Sequence, residues 1–316
     1  MKKVSLLLAT LAMTACATPP RSTVDPSPLA QRIMQLDRTS QWRAAGETLL
    51  PFETHHPQGM VRINSETFFT SVVILRPTQR YPQPVEGFDR DAGEGHGHLF
   101  QISDAGALKS DIPLGEGDIY HPGGLDFDGR WLWIPVAEYR PNSRSIIYRV
   151  DPVTLAVSEA FRVADHIGAV AVDRETHALI GVSWGGGRIY RWPLQSDGSV
   201  APADLMAPPV GAKRAHYTDW QDCHGLADRR MLCTGLATYK RPGDTSSFSL
   251  GGVELIDLAT LQPLWQTPVQ LWSPSGRSML QNPAWFEPTS AGLRAWFMPD
   301  DDHSTLYTFD VDLPLN

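Results

Sequence analysis

The sequence predicts an all-β chain folded as a five-bladed β-propeller, and three observations carry the prediction. One hairpin pattern recurs five times. Two further strand-like runs follow most copies, making four strands per repeat. The last repeat lacks its fourth run, while an unassigned one precedes the first. The pattern is clearest in His121-Pro-Gly-Gly-Leu-Asp-Phe-Asp-Gly-Arg-Trp-Leu-Trp-Ile-Pro-Val-Ala-Glu-Tyr139. There Leu125 and Phe127 alternate with Asp126 and Asp128, Asp128-Gly129 makes a tight turn, and an apolar run from 131 to 136 ends at Glu138-Tyr139. Weaker copies start at His56, His166, Asp222 and Asn282, so successive starts lie 65, 45, 56 and 60 residues apart. That spacing suits a radial all-β repeat.

The first residues read as an address. Lys2 and Lys3 precede a short apolar run, 4–12, and Met13-Thr-Ala-Cys16 resembles a bacterial lipobox. The resemblance implies a lipoprotein signal peptide, 1–15, cleavage before Cys16 and lipid attachment to it. An ordinary signal peptide cut near Ala15 or Ala17 is the alternative. Ala17 stands where aspartate would favour the inner membrane. The expectation is therefore a cell-envelope protein, lipid-anchored at the outer membrane and facing the periplasm. Residues 16–40 read as a tether with a short helix at 29–36, and 41–316 as the propeller domain.

Removing Lys2 and Lys3 leaves 25 basic residues against 35 acidic, a net charge of −10, and no basic run of five occurs. Nucleic acid is excluded as a partner on that ground. The partners expected are the membrane, through the anchor, and a small molecule or a protein; the domain is expected to be a monomer. No later stretch has eighteen consecutive apolar residues, so nothing else is long enough to span a bilayer as a helix.

The later strands of each repeat follow in order. The runs 98–102 and 107–113 complete the first repeat, and 145–150 and 156–163 the second. In the third, 188–192 is followed by a weak run near 200–206. The fourth repeat ends with 252–256 and 263–269. The last has only 305–309, so the run 42–52 is expected to close its blade and cover the open edge. A six-bladed propeller is the alternative; it would need spare strands from 76–97 or 207–221. Cys223 and Cys233 flank a turn centred at residue 228, which sets them opposite each other across a hairpin. In an exported protein this predicts a disulfide, with two buried thiols as the alternative.

In a propeller the residues that begin the innermost strands share one face of the axis with those that leave the second strands. The beginning positions are His56, His121, His166, Asp222 (or His224, with a two-residue shift) and Asn282; the leaving ones include Glu138, Trp184, Tyr239 and Asp300. Three histidines in register make a candidate site for a ligand, and His56, His121 and His166 a candidate set for a divalent metal. His121 or His166 is the expected base, with Glu138 orienting it. Asp222, His224, Asn282, Trp184 and Tyr239 are the expected ligand contacts. Asp300-Asp-Asp302 reads as a solvated blade loop. No Gly-x-Ser-x-Gly elbow and no His-Glu-x-x-His motif occurs, so no nucleophile is declared.

The 121–139 motif, with Tyr148-Arg-Val-Asp-Pro152 and Val182-Ser-Trp-Gly185, resembles a family of uncharacterised secreted proteins over about residues 40 to 312. This resemblance implies the propeller fold and no activity. A more distant similarity is to calcium-dependent propeller lactonases and the strictosidine-synthase-like group, which place acids and asparagines at the axis. This chain has histidines at three such positions. Two functions are therefore expected: a small-ligand or metal site on the axial face, with hydrolase or lyase chemistry, or an envelope scaffold that docks a protein.

Overall fold

The computed structural model describes residues 24–212 and 217–313. Cys16 and the signal segment lie outside the described residues. Five antiparallel sheets stand radially around one axis. Blade one is formed by His56–Ile63, Glu66–Arg76, Glu94–Ser103 and Leu108–Leu114. Blade two begins with an interrupted inner edge, Ile119–Pro122 and Asp126–Phe127, then Leu132–Glu138, Ser145–Val150 and Val157–Val163. Blade three holds Ile167–Asp173, Ala178–Ser183 and Ile189–Pro193. Blade four holds Asp219–Gly225, Arg230–Tyr239, Phe248–Asp257 and Gln262–Val269.

Blade five is closed from the other end of the chain. Ala284–Pro288, Gly292–Phe297 and Thr305–Asp312 are joined on the outside by Trp42–Leu49, which pairs antiparallel with the last strand from Trp42↔Val311 to Leu49↔Thr305. The N-terminal strand thus covers an edge that would otherwise present unpaired backbone groups.

Two local expectations differ from the structure. The run at 200–206 is no fourth strand: Pro202–Leu205 forms a helical turn, with proline at a position where its missing N–H costs nothing. Blade three therefore has three strands among the described residues. The spare stretch 76–97 makes a separate two-stranded hairpin, Arg80–Val85 with Phe88–Arg90, rather than part of a sixth blade.

The short helix expected at 29–36 is Pro28–Ile33, and it belongs to the domain. Ser27 caps it, accepting from the Ala30 N–H at 3.2 Å, and Pro28 opens it. Ala30, Ile33 and Leu36 are buried with Leu232 and Leu255 of blade four and Phe286 and Leu293 of blade five. The remaining core is a series of similar wedges between neighbouring blades. Cys223 and Cys233 face each other across the first hairpin of blade four and are bonded, with Cα atoms 4.1 Å apart.

Near the axis four blades close on Gly124, which lies against Gly59 of blade one and Asp222 of blade four as well as against blade three. Gly124 N–H donates to Gly168 O at 2.9 Å and Val170 N–H to Gly124 O at 3.1 Å, so blades two and three join backbone to backbone. A side chain at Gly123 would meet Gly168 O at 2.0 Å, which is why no larger residue fits this crossing. The axis is therefore a cup and not the wet channel that a ring of polar residues implies.

Below the cup, two acids and one histidine tie all five blades. Asp126 of blade two accepts from the N–H groups of Val172 (blade three) and Gly225 (blade four), each at 2.8 Å. Asp222 of blade four accepts from Met60 N–H of blade one at 2.9 Å. His224 Nε2 lies 3.4 Å from the Asp222 carboxylate and 3.3 Å from Ala284 O of blade five, and its Nδ1 lies 3.8 Å from Asp126. Burial alone would lower the pKa of His224, but the two carboxylates outweigh it and push it up to about 10.

Candidate functional site

The inner hairpins deliver His56, His121 and His166 to the mouth of the cup from three successive blades. They line one cavity of about 210 Å³. Tyr139, Trp184 and Trp220 form its aromatic wall, and Gln58, Asp219 and Gln221 complete the polar lining. Tyr139 ends the blade-two hairpin and stacks on His121 at 4.2 Å between centroids, and on Trp184 at 5.7 Å. His121 and His166 are 6.3 Å apart by centroid.

Each imidazole is set differently. His56 Nδ1 and Asp301 Oδ1 share a hydrogen bond of 2.7 Å. Asp301 also accepts from Arg277 at 2.5 Å and from Asn282 at 3.2 Å. Burial would raise its carboxyl, but His56 and Arg277 together hold it at about 2, so it stays ionised. His166 is buried, and its Nδ1 donates to Glu138 O at 2.8 Å, which turns Nε2 towards the cavity-lining Gly168. Burial outweighs the carbonyl contacts and pushes its pKa down to about 4. His121 is buried too, and its Nε2 has no hydrogen-bond partner. Burial, then the neighbouring His166 and His56, drive its pKa well below the ordinary value. Two of the three are therefore neutral at neutral pH, and a neutral imidazole carries a lone-pair acceptor.

Buried acids fix the wall. The Glu138 carboxylate is fully buried and accepts from Arg140 and Arg144, each at 2.6 Å. Asp165 accepts from the His166 N–H at 2.8 Å, from Arg188 through both oxygens and from the Tyr190 hydroxyl. Glu254 takes the Thr218 hydroxyl at 2.8 Å and the Trp220 indole N–H at 3.0 Å, seating the segment that carries Asp219.

Several expected site residues fall elsewhere. Glu138 does position His166, but through its backbone carbonyl; its carboxylate is consumed by two arginines and faces no ligand. Asp222 and His224 lie beneath the cup in the axial clasp, because the blade-four strand begins at Asp219, three residues earlier than the sequence pattern implies, and carries a bulge between Trp220 and Asp222. Asn282 stands behind the cavity as a brace on Asp301. Tyr239 ends the second strand of blade four, paired with Phe248, half exposed and outside the cavity lining. Trp184 lines the cavity as expected.

His56, His121 and His166 share the cavity without forming a metal site. No group of three or more His, Cys, Asp or Glu side chains among the described residues is placed to hold one ion. The residue that sequence reasoning missed is Asp301. Its signal was the acidic triplet 300–302, which looks like any solvated loop until blade five is folded against His56.

A family model described as a family of unknown function (DUF6454) matches residues 16–314. A comparison with curated proteins finds no match. Among solved structures, a luciferin-regenerating enzyme is similar at 11% identity, covering 86% of this chain and 98% of that one, with a TM-score of 0.45. Regucalcin from Agrobacterium tumefaciens, a calcium-binding protein, is similar at 12% identity, covering 85% and 95%, with a TM-score of 0.44. The β-propeller domain of the Trilobed protease from Pyrococcus furiosus is 10% identical, covering 83% and 72%, with a TM-score of 0.32.

Proposed function

Since the chain belongs to this family of unknown function, its chemistry has to be read from the cup itself, and we propose that the cup binds a small molecule bearing hydrogen-bond donors. His56, backed by Asp301, then removes a proton from that molecule or from a water. One observation carries the reading: imidazoles from three blades line a single small cavity, and the buried His121 Nε2 at its wall is left without a hydrogen-bond partner. Leaving a buried polar group unpaired costs about 1–3 kcal/mol, which a hydroxyl or amide N–H of a ligand would recover. The pairing of an ionised carboxylate with His56 Nδ1 leaves the other ring nitrogen as the base, with the tautomer held by Asp301.

The reaction class this favours is hydrolysis of an uncharged ester or lactone, in which the base activates water. The test uses p-nitrophenyl acetate and small five- and six-membered lactones. His56→Gln and Asp301→Asn are expected to lower turnover by about a hundredfold, the ordinary worth of a positioned base, with little change in melting temperature. No turnover by the unsubstituted protein, or equal turnover by His56→Gln, would remove catalysis and leave binding alone.

Anchoring through Cys16 is part of the same proposal, and it sets the mouth of the cup away from the bilayer. Support comes from where the chain leaves the domain. Arg230 bonds Val24 O, and the Ser27 N–H bonds Asp228, at the end of the blade-four hairpin opposite Asp219. Cys16→Ser is expected to move the protein from the membrane fraction to the soluble one; unchanged retention would contradict anchoring there.

A further inference from the structure

Between its second and third strands, blade one leaves the sheet for the hairpin Arg80–Val85 and Phe88–Arg90. Its strands pair only with each other among the described residues, and its turn, Glu86-Gly87, places both residues at positive φ, 51° and 86°. An isolated two-stranded hairpin has little stability of its own. This one reaches across to the aromatic wall of the cavity. The Arg140 guanidinium lies 3.6 Å from the centroid of the Phe88 ring, and the Arg90 guanidinium 5.5 Å from that of Trp184. Trp184 walls the cup, and Arg140 directly follows Tyr139, which walls it too, so one contact falls on the wall and the other beside it.

The base of the hairpin is held far more firmly than its tip. Asp91 accepts from Arg76 at 2.6 Å and from the Gln79 N–H at 2.8 Å, while its own N–H donates to Gln79 O at 3.1 Å. The Tyr120 hydroxyl donates to Ala92 O at 2.7 Å. Gly93, at φ +69°, follows against Arg76 O and Tyr120, where no side chain fits. Arg90 is tied to Asp89 through two hydrogen bonds of 2.9 Å, so the pair moves as a unit.

We infer that residues 80–90 form a lid over the histidine cup, hinged at 91–93 and latched by Phe88 on Arg140 and by Arg90 on Trp184. Lifting the tip breaks two cation–π contacts and leaves the blade-one sheet intact. A ligand exchanges with the cup at the rate set by that latch, which makes Phe88 and Arg90 the gatekeeping residues of the site. The inference rests on the reading of the cup as the ligand site, and its test uses no ligand, so the two can fail separately.

The probe is diethyl pyrocarbonate, which acylates neutral imidazoles, with the modified histidines mapped by mass spectrometry on the folded protein. Replacing 80–90 by Gly-Gly is expected to speed acylation of His121 and His166 by at least about tenfold, since it removes both exposed cation–π contacts together with the cover itself. The double substitution Phe88→Ala with Arg90→Met removes both latch contacts, and the Arg90 bonds to Asp89 with them, and is expected to speed the same acylations about tenfold, the worth of two exposed cation–π contacts. Exposed His177, in a turn of blade three, is the internal control and should react at one rate throughout. Parental rates at His121 and His166 in the double variant, with its melting temperature unchanged, would overturn the lid whatever the loop replacement does.

Discussion

A chain shortened to begin at residue 51 is expected to lose cooperative folding. The deletion removes Trp42–Leu49, exposing the edge of Thr305–Asp312, and it removes the helix and the turn after it, whose Ile33 and Leu36 are buried between blades four and five. Full burial of two such side chains is worth about 3–6 kcal/mol. The open strand edge adds a template for aggregation. Whole domains have only about 5–15 kcal/mol to lose. Urea titration followed by circular dichroism should show a broad or absent transition and a tendency to associate. A single cooperative transition at the parental midpoint would mean that blade five closes in some other way.

His224→Leu is expected to destabilise the protein by about 3–5 kcal/mol, the cost of leaving buried charges without their partner. Asp126 and Asp222 would remain beneath the cup with no cation between them, and their bonds to Val172, Gly225 and Met60 join four blades. The pH dependence separates this clasp from the cup. With a folded pKa of about 10 against an unfolded 6.5, His224 contributes stability below pH 6.5 that is lost as pH rises through 10. His166, at about 4 in the fold, acts in the opposite sense. Its contribution, about 3 kcal/mol, is present above pH 6.5 and is lost as pH falls through 4. His121 shifts the same way as His166. Thermal melts across pH should therefore fall on both sides of neutrality, and His224→Leu should flatten the alkaline side only. A variant that melts like the parent at pH 7 would reduce the clasp to a packing detail.

Much of the fold was legible because propeller blades write their hairpins into short-range alternation. Leu125, Phe127 and the run 131–136 show period and turn within twenty residues, and the missing last strand was visible by counting. What escaped has long-range causes. Whether 200–206 makes a strand or a helical turn depends on Pro202 and on packing against blade three, not on local apolarity. The place of Asp222 depends on a strand that starts three residues earlier and bulges once. For the site, register alone brought three histidines to one cavity. It could not reveal that Asp301, 245 residues from His56, would be the carboxylate that meets it, nor that Glu138 would be taken by Arg140 and Arg144. Charge pairing of this kind is decided by which loops meet at the rim, and loops leave little periodic trace.

The central claim is that the cup is faced by imidazoles held neutral, with acceptors turned to a ligand. Long-range nitrogen–proton correlation spectra of the histidine side chains test it directly. His166 is expected to carry its proton on Nδ1 and to stay neutral down to about pH 4, His121 to stay neutral well below the ordinary imidazole range, and His224 to be charged at pH 7. Assignment rests on the single substitutions His121→Ala, His166→Ala and His224→Leu. If His121 and His166 titrate near 6.5 like free imidazoles, or if His166 holds its proton on Nε2, the cup is a solvated rim and the ligand site lies elsewhere.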